Sequence, residues 1–312
     1  MARSVRYVPG QQEPFKMSRA KIEDFIRCPR CFVLEVKHGI KKPTGVPFTL
    51  NVAVDNLLKK EFDTYRANGA AHPIAIQNGL NLKPFQHPDL DTWRNNFKGV
   101  TAQTEDGKFL ITGAVDDIWV DDAGTLYVID YKATGRQEAV TSLGEGGFYD
   151  GYRRQLEIYQ WLLRKNGFTV SDTGYWVYVT ATQKQDSFDN NLKFEANLVS
   201  YTGSDQWIDS ILDSIYTNLN EPEVPGPGDD CDLCRFFEER ANKAIEWHEL
   251  VWKNCGDCGT RMLKTIYGMM AGEAPSGHIS MGCIVDAESP EWLCPKCDLE
   301  EEADLTLLPR AE

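Results

Sequence analysis

Asp130 and Lys132 close an apolar run, residues 126–129, and Asp116 stands in Gly113-Ala114-Val115-Asp116 just ahead of another, Ile118-Trp119-Val120. Between the runs lies Asp121-Asp122-Ala123-Gly124, a composition that favours a tight turn, so the spacing predicts an antiparallel hairpin. Side chains two apart on a strand share a face, which puts Asp130 and Lys132 on one side and Tyr131 on the other. Asp116, on the partner strand, can reach the first of these faces. Two carboxylates converging there would hold a hard divalent cation, Mg²⁺ or Mn²⁺, through oxygen, with the backbone carbonyl of Tyr131 as a further donor. The Lys132 ammonium would then place an attacking water or steady the charge that builds on phosphorus. This is the chemistry of phosphodiester hydrolysis. An Asp-x-Lys triplet alone is common as an ion pair at a solvated strand edge. Here the charges end an apolar run, where burial without a partner is costly.

Three further segments bear on the hairpin. Gln155 and Tyr159 fall one turn apart on a helix expected over residues 150–167, hence on one face. Near the N-terminus, Ser18-Arg19-Ala20-Lys21-Ile22 runs on to Cys28-Pro29, and Cys231-Asp232-Leu233-Cys234 returns a cysteine pair late in the chain. With these, residues 16–240 resemble the PD-(D/E)xK nuclease superfamily. They are most similar to its RecB-like branch, which includes iron–sulfur CRISPR adaptation nucleases and AddB-type nuclease domains. The resemblance implies an α/β, restriction-endonuclease-like core, a mixed sheet flanked by helices. It also implies that Gln155 places Lys132 or a phosphate oxygen and that Tyr159 supports that face or touches the strand. The chain departs from the branch at one metal ligand, a His on the helix before the core sheet. On the helix expected over residues 49–67 the matching position is Asp55, which would serve as an oxygen ligand or stand as a surface acid; Glu61 and Asp63 follow on the same helix as weaker candidates.

The nine cysteines form a second layer. No apolar run approaches the length of a membrane span, and Met1-Ala2-Arg3-Ser4-Val5 lacks the apolar core of a secretory leader. The expectation is therefore a cytoplasmic protein with reduced thiols, in which paired Cys-x-x-Cys motifs bind metal. Cys28, Cys31, Cys231 and Cys234 would clip the ends of the nuclease-like domain together. The family resemblance implies a [4Fe–4S] cluster there, while the two-plus-two split suits Zn²⁺ equally. Cys255, Cys258, Cys294 and Cys297 read as a zinc ribbon, with Gly256 and Gly259 easing the knuckle. That leaves Cys283 unpaired and His248 and His278 as stray candidates.

The domain reading is a nuclease-like domain over residues 16–244, a zinc-ribbon-like domain over 250–299 and an acidic, disordered tail over 300–312. Pro-Gly-rich residues 221–228 form an extended linker ahead of Cys231. Of the elements, a basic N-terminal helix precedes the 49–67 helix and a short one near 89–97. Strands follow at 99–103, 109–120 and 125–132, then at 174–180 and 192–201 beyond the Gln155 helix, and a helix with a core-facing apolar stripe covers 204–219.

A net charge of −14 sits awkwardly with a nucleic-acid partner, since phosphate contacts need Lys and Arg. The excess is uneven: residues 1–66 carry a net +6, around Lys16, Arg19, Lys21, Arg27, Arg30, Lys41, Lys42, Lys59, Lys60 and Arg66. A local basic surface can bind a strand despite an acidic total. The expectation is a metal-dependent deoxyribonuclease, exonuclease-like, in repair, recombination or defence, with DNA and a helicase or recombination protein as partners. The rival is an inactive nuclease fold that binds a partner through its ribbon.

Overall fold

The computed structural model describes residues 6–43, 45, 48–251, 254–266, 278–280 and 292–297. The chain divides into two compact units, Met1–Cys231 and Asp232–Glu312.

The first unit opens with strand β1 (Phe15–Ser18) and helices α1 (Arg19–Arg27) and α2 (Pro29–Val36). The single basic helix expected here is two, because proline forces the residue before it out of helical geometry. Cys28 is accordingly extended and caps α2, its sulfur accepting from the Cys31 N–H at 3.4 Å. Helix α3 (Thr49–Ala67) has the predicted bounds. Short elements α4 (Pro73–Gln77), β2 (Lys83–Pro84) and α5 (Leu90–Trp93) lead to strands β3 (Val100–Gln103), β4 (Phe109–Gly113), β5 (Asp117–Val120) and β6 (Leu126–Arg136). Helix α6 (Gly147–Lys165), strands β7 (Thr173–Thr182) and β8 (Phe194–Thr202) and helix α7 (Ile208–Asn220) complete the unit.

The predicted hairpin is present: Asp117 pairs with Ile129 and Val120 with Leu126, antiparallel. Asp121 builds the turn by accepting from the N–H groups of Ala123 at 3.0 Å and Thr125 at 2.8 Å, while Gly124 takes φ 84°. The strand expected over 109–120 is not continuous. It breaks at residues 114–116, and its halves join different sheets, β1-β4-β3 and β2-β5-β6-β7-β8. At the break the Val115 N–H leaves the ladder and donates to Trp93 O at 3.2 Å, and α6 packs closely on Gly113, the last residue of β4, where a Cβ would lie 2.7 Å from the Tyr159 ring and 2.9 Å from Leu162.

In the five-stranded sheet β6 and β7 are parallel and the other pairs antiparallel, so the architecture is mixed α/β. Both faces are covered. Val128, Trp176, Tyr178 and Val199 pack with Leu156 and Ile158 of α6, and Ile129, Tyr131, Tyr175 and Val177 pack with Phe62 of α3. A strand buried on both faces reads as a nearly unbroken apolar run, as β7 does. On α7, Ile208, Leu212, Ile215 and Leu219 are buried, the predicted core stripe.

The second unit contains helix α8 (Asp232–Val251) and strands β9 (Leu263–Ile266), β10 (His278–Ser280) and β11 (Trp292–Leu293), in the order β10-β9-β11. Cys255 opens a tight turn in which its N–H donates to Thr260 O at 2.8 Å and its carbonyl accepts from Gly259 N at 2.9 Å, with Gly259 at φ 71°. Cys283, the side chains of His248 and His278 and the 300–312 tail lie outside the described residues. Among those described, no helix is long and apolar enough to cross a membrane.

Candidate active site and cysteine centres

Strand β5 begins at Asp117, so beyond Ile129 the edge of β6 that faces it is left without a partner strand. A cleft of about 390 Å³ follows that open edge, lined among others by Asp55, Asp116, Tyr131, Lys132, Ala133 and Tyr152. Helix α3 is tied to it where Asn51 Nδ2 donates to Ala133 O at 2.9 Å.

Asp130 is fully buried on the α6 face. Its Oδ1 accepts from Gln155 Nε2 at 2.7 Å, and its Oδ2 meets the Lys132 ammonium. Burial pushes its carboxyl up to about 7, with the Lys132 ammonium pulling down and the Asp116 carboxylate pushing up. Lys132 Nζ donates to Gln155 Oε1 at 3.2 Å and lies 4.5 Å from the centre of the Tyr152 ring. Gln155 thus bridges both ends of the Asp-x-Lys with one amide, and its Nε2 also donates to Tyr159 OH at 3.1 Å. Tyr159 is buried, which pushes its phenol up to about 12 and keeps it protonated. The structure therefore brings Asp130, Lys132, Gln155 and Tyr159 into one network.

Asp116 sits at the break between β4 and β5, where its Oδ2 accepts from Tyr131 N at 2.9 Å. Across the cleft Asp55 faces it, and Lys59 stands between them, 2.8 Å from Asp55 Oδ2 and 3.6 Å from Asp116 Oδ1. Burial raises the Asp55 carboxyl and the Asp116 charge raises it further, against Lys59. Glu61 and Asp63 point elsewhere: Glu61 pairs with His72, and Asp63 with Arg66 and Arg94.

One carboxylate was missed in the sequence. Asp117 is fully buried, accepting from Arg66 Nη2, from Ile118 N at 2.8 Å and from Tyr131 OH at 2.8 Å, with Arg94 Nη2 at 3.0 Å. The available signal was the Asp116-Asp117 doublet, since two adjacent acids on a strand cannot both face one side. Several of the N-terminal basic side chains are paired with carboxylates. Lys21 and Lys42 pair with Asp24, Arg27 with Glu23, Lys59 with Asp55 and Arg66 with Asp117.

Carboxylate donors at the mouth of a cleft suit a hard divalent cation better than a soft one. Asp130 Oδ2, buried and met by the Lys132 ammonium alone, fits such a role. Among the described residues, only the two cysteine groups bring three or more ligand atoms within 4.8 Å of one another. In the first unit they are Cys28, Cys31 and Cys231, and in the second Cys255, Cys258, Cys294 and Cys297. Burial pushes the Cys28 thiol up, but hydrogen bonds from the Gly228 and Cys31 N–H groups outweigh it and bring the thiol down to about 7. Such donors favour the thiolate that a metal requires.

A family model described as the PD-(D/E)XK nuclease superfamily matches residues 50–238, more than half of the chain. A solved structure described as "Crystal structure of SSO0001" is 18% identical, with 73% of this chain and 86% of that chain covered and a TM-score of 0.31. No curated protein matches.

Proposed function

The chain belongs to the PD-(D/E)XK nuclease superfamily, whose members are generally metal-dependent nucleases, and from that premise we propose that it hydrolyses DNA phosphodiester bonds with Mg²⁺ or Mn²⁺. The observation that carries this reading is the Asp130–Gln155–Lys132 network facing Asp116 on the open edge of β6. Asp116 and Asp130 would hold the cation, with the Tyr131 carbonyl and Asp55 as further donors. When bound, it supplies Lewis-acid activation of water and charge neutralisation at phosphorus. Lys132 orients the water and stabilises the developing charge. Gln155 keeps Lys132 in place by accepting from it while donating to Asp130. Tyr159 holds the far side of that amide.

Of the finer assignments, a RecB-like branch is supported by the Gln155/Tyr159 helix and by the cysteine pairs, one early and one late in the chain. An exonuclease role in repair, recombination or defence, a helicase or recombination partner and a cytoplasmic location belong to the same reading. Cys28, Cys31, Cys231 and Cys234 would hold a [4Fe–4S] cluster or Zn²⁺, and the second cysteine group Zn²⁺, both in structural roles. The acidic total of −14 and the Asp55 that stands where the branch carries a His ligand favour one rival, a nuclease fold that binds a partner without cutting DNA.

A cleavage assay separates the two. Anaerobically purified protein is offered labelled single- and double-stranded DNA with Mg²⁺, Mn²⁺ or EDTA, beside Lys132→Ala. Metal-dependent cleavage lost in the variant is the expected result. Binding without cleavage under either metal would move the assignment to the rival, and a fully active Lys132→Ala would remove Lys132 from the site.

A further inference from the structure

Helix α3 presents Asp55, Lys59, Phe62 and Arg66 at spacings of four, three and four, hence along one stripe. Phe62 and Arg66 are buried, Phe62 against the sheet beside Trp119 and Tyr131. At one end of the stripe Asp55 faces Asp116 across the cleft. At the other, Arg66 enters the sheet and grips Asp117, the residue next to Asp116 in sequence. The two ends are therefore linked twice: through the rigid helix, and through the peptide unit that joins Asp116 to Asp117 at the start of β5.

We propose that Asp117, with Arg66, is a positioning pair that sets the spacing between Asp55 and Asp116 and so the affinity of the carboxylate cleft for its divalent cation. The proposal rests on the metal-site reading above. Neither residue touches the cleft. Asp116 lies outside the strand ladder, which stops at the Asp117–Ile129 pair, and its side chain is held there by the Tyr131 N–H, while its backbone relies on its neighbours. Its neighbours do the holding: Val115 is fully buried with its N–H on Trp93 O at 3.2 Å, and Asp117 is fully buried in the arginine socket. Arg66 is suited to seat the helix because its guanidinium makes directed contacts with three parts of the unit. It reaches Phe85 O through Nε at 2.8 Å, Asp63 through Nη1 and Asp117 through Nη2. The planar fork fixes direction as well as distance, which a lysine cannot do. Arg94 braces the same socket from after α5, bonding Asp63 at 2.7 Å and facing Asp117 at 3.0 Å. A shift of α3 along its stripe would thus move Asp55 relative to Asp116 while leaving the Asp130–Lys132 network on the other face in place.

The test reads Mn²⁺ binding to the full-length protein by calorimetry, with melting temperature alongside, in wild type, Arg66→Lys, Asp55→Ala and the double variant, and with Asp116→Ala marking binding at the carboxylate cleft. Arg66→Lys keeps the charge and is the variant expected to fold; Asp117→Asn repeats the test from the partner side. Arg66→Lys is expected to weaken Mn²⁺ binding by about ten-fold, the usual scale for residues that orient ligands from behind. In the Asp55→Ala background the same change should cost less than about two-fold, because the spacing it controls no longer matters. A fall in melting temperature with Mn²⁺ affinity unchanged would make the pair merely structural and overturn the proposal. So would an equal loss of affinity with and without Asp55. Mn²⁺ binding that is indifferent to Asp116→Ala would instead overturn the metal-site reading itself, and this proposal with it.

Discussion

Asp117 and Asp130 belong to one hairpin, point to opposite faces of one sheet and are equally buried, yet their surroundings differ. On the α3 face, Asp117 is saturated, with two arginines and a backbone N–H at Oδ1 and the Tyr131 hydroxyl at Oδ2. On the α6 face, Asp130 has a single hydrogen bond at Oδ1 and only the Lys132 ammonium at Oδ2. A buried charge is tolerated when its lone pairs are filled, and the first aspartate meets that condition. The second does not, and its carboxyl is pushed up to about 7. Burial alone would mark both as sites; the number of donors placed on each oxygen separates the filled socket of Asp117 from the underfilled one of Asp130, which we propose as a metal ligand.

The sharpest way to break this contrast is to neutralise each acid in turn. Asp130→Asn should lower cleavage by about a thousand-fold, the scale seen when one electrostatic partner of the reaction is removed, while the protein stays folded. The pH dependence follows from the direction of the shift. A carboxyl raised from 3.8 to about 7 holds its proton longer in the folded state. In EDTA, its contribution to stability is complete below about pH 4 and is lost as pH rises through 7, on the order of 4 kcal/mol. Urea midpoints at pH 5 and pH 8 should therefore diverge in wild type and converge in Asp130→Asn; parallel behaviour of the two proteins would refute the shift. Asp117→Asn should act chiefly on stability, costing about 3–5 kcal/mol by leaving two buried arginines short of a partner, with a matching fall in melting temperature, and should affect cleavage only through metal affinity, a loss that saturating metal restores. If Asp117→Asn is instead the milder of the two in stability, saturation is not what distinguishes them.

Half of this contrast was legible in the sequence. Local signals sufficed for the hairpin, because the Asp-Ala-Gly turn and the alternation around it are contained within a few residues. The bounds of α3 and the Gln155/Tyr159 face followed in the same way, from period and spacing. The cysteine groups could be sorted because metal chemistry constrains spacing within each pair. What failed was non-local. The break at residues 114–116 goes with Val115 bonding to Trp93 and with β4 pairing with β1, a strand far back in the chain that no alternation revealed. Asp117 was hidden for the same reason. Its meaning depends on Arg66 and Arg94, which come from a helix and a loop, and nothing in Asp116-Asp117 says which acid turns to the cleft.

Tyr131 offers the finest test, because it serves both aspartates through different atoms. Its hydroxyl donates to Asp117 Oδ2 at 2.8 Å, and its backbone N–H donates to Asp116 Oδ2 at 2.9 Å. Tyr131→Phe deletes the first bond and cannot delete the second. Asp117 Oδ2 would then be buried without its donor, at a cost of about 2 kcal/mol for a bond to a charged group. The Asp116 contact, the Arg66–Asp117 pair and the Asp130–Gln155–Lys132 network would all remain. Cleavage at saturating metal should therefore stay within about two-fold of wild type, even as the urea midpoint falls. A large loss of cleavage in Tyr131→Phe would mean that the two faces of the sheet are coupled through this one side chain, and that Asp117 and Asp130 cannot be treated apart.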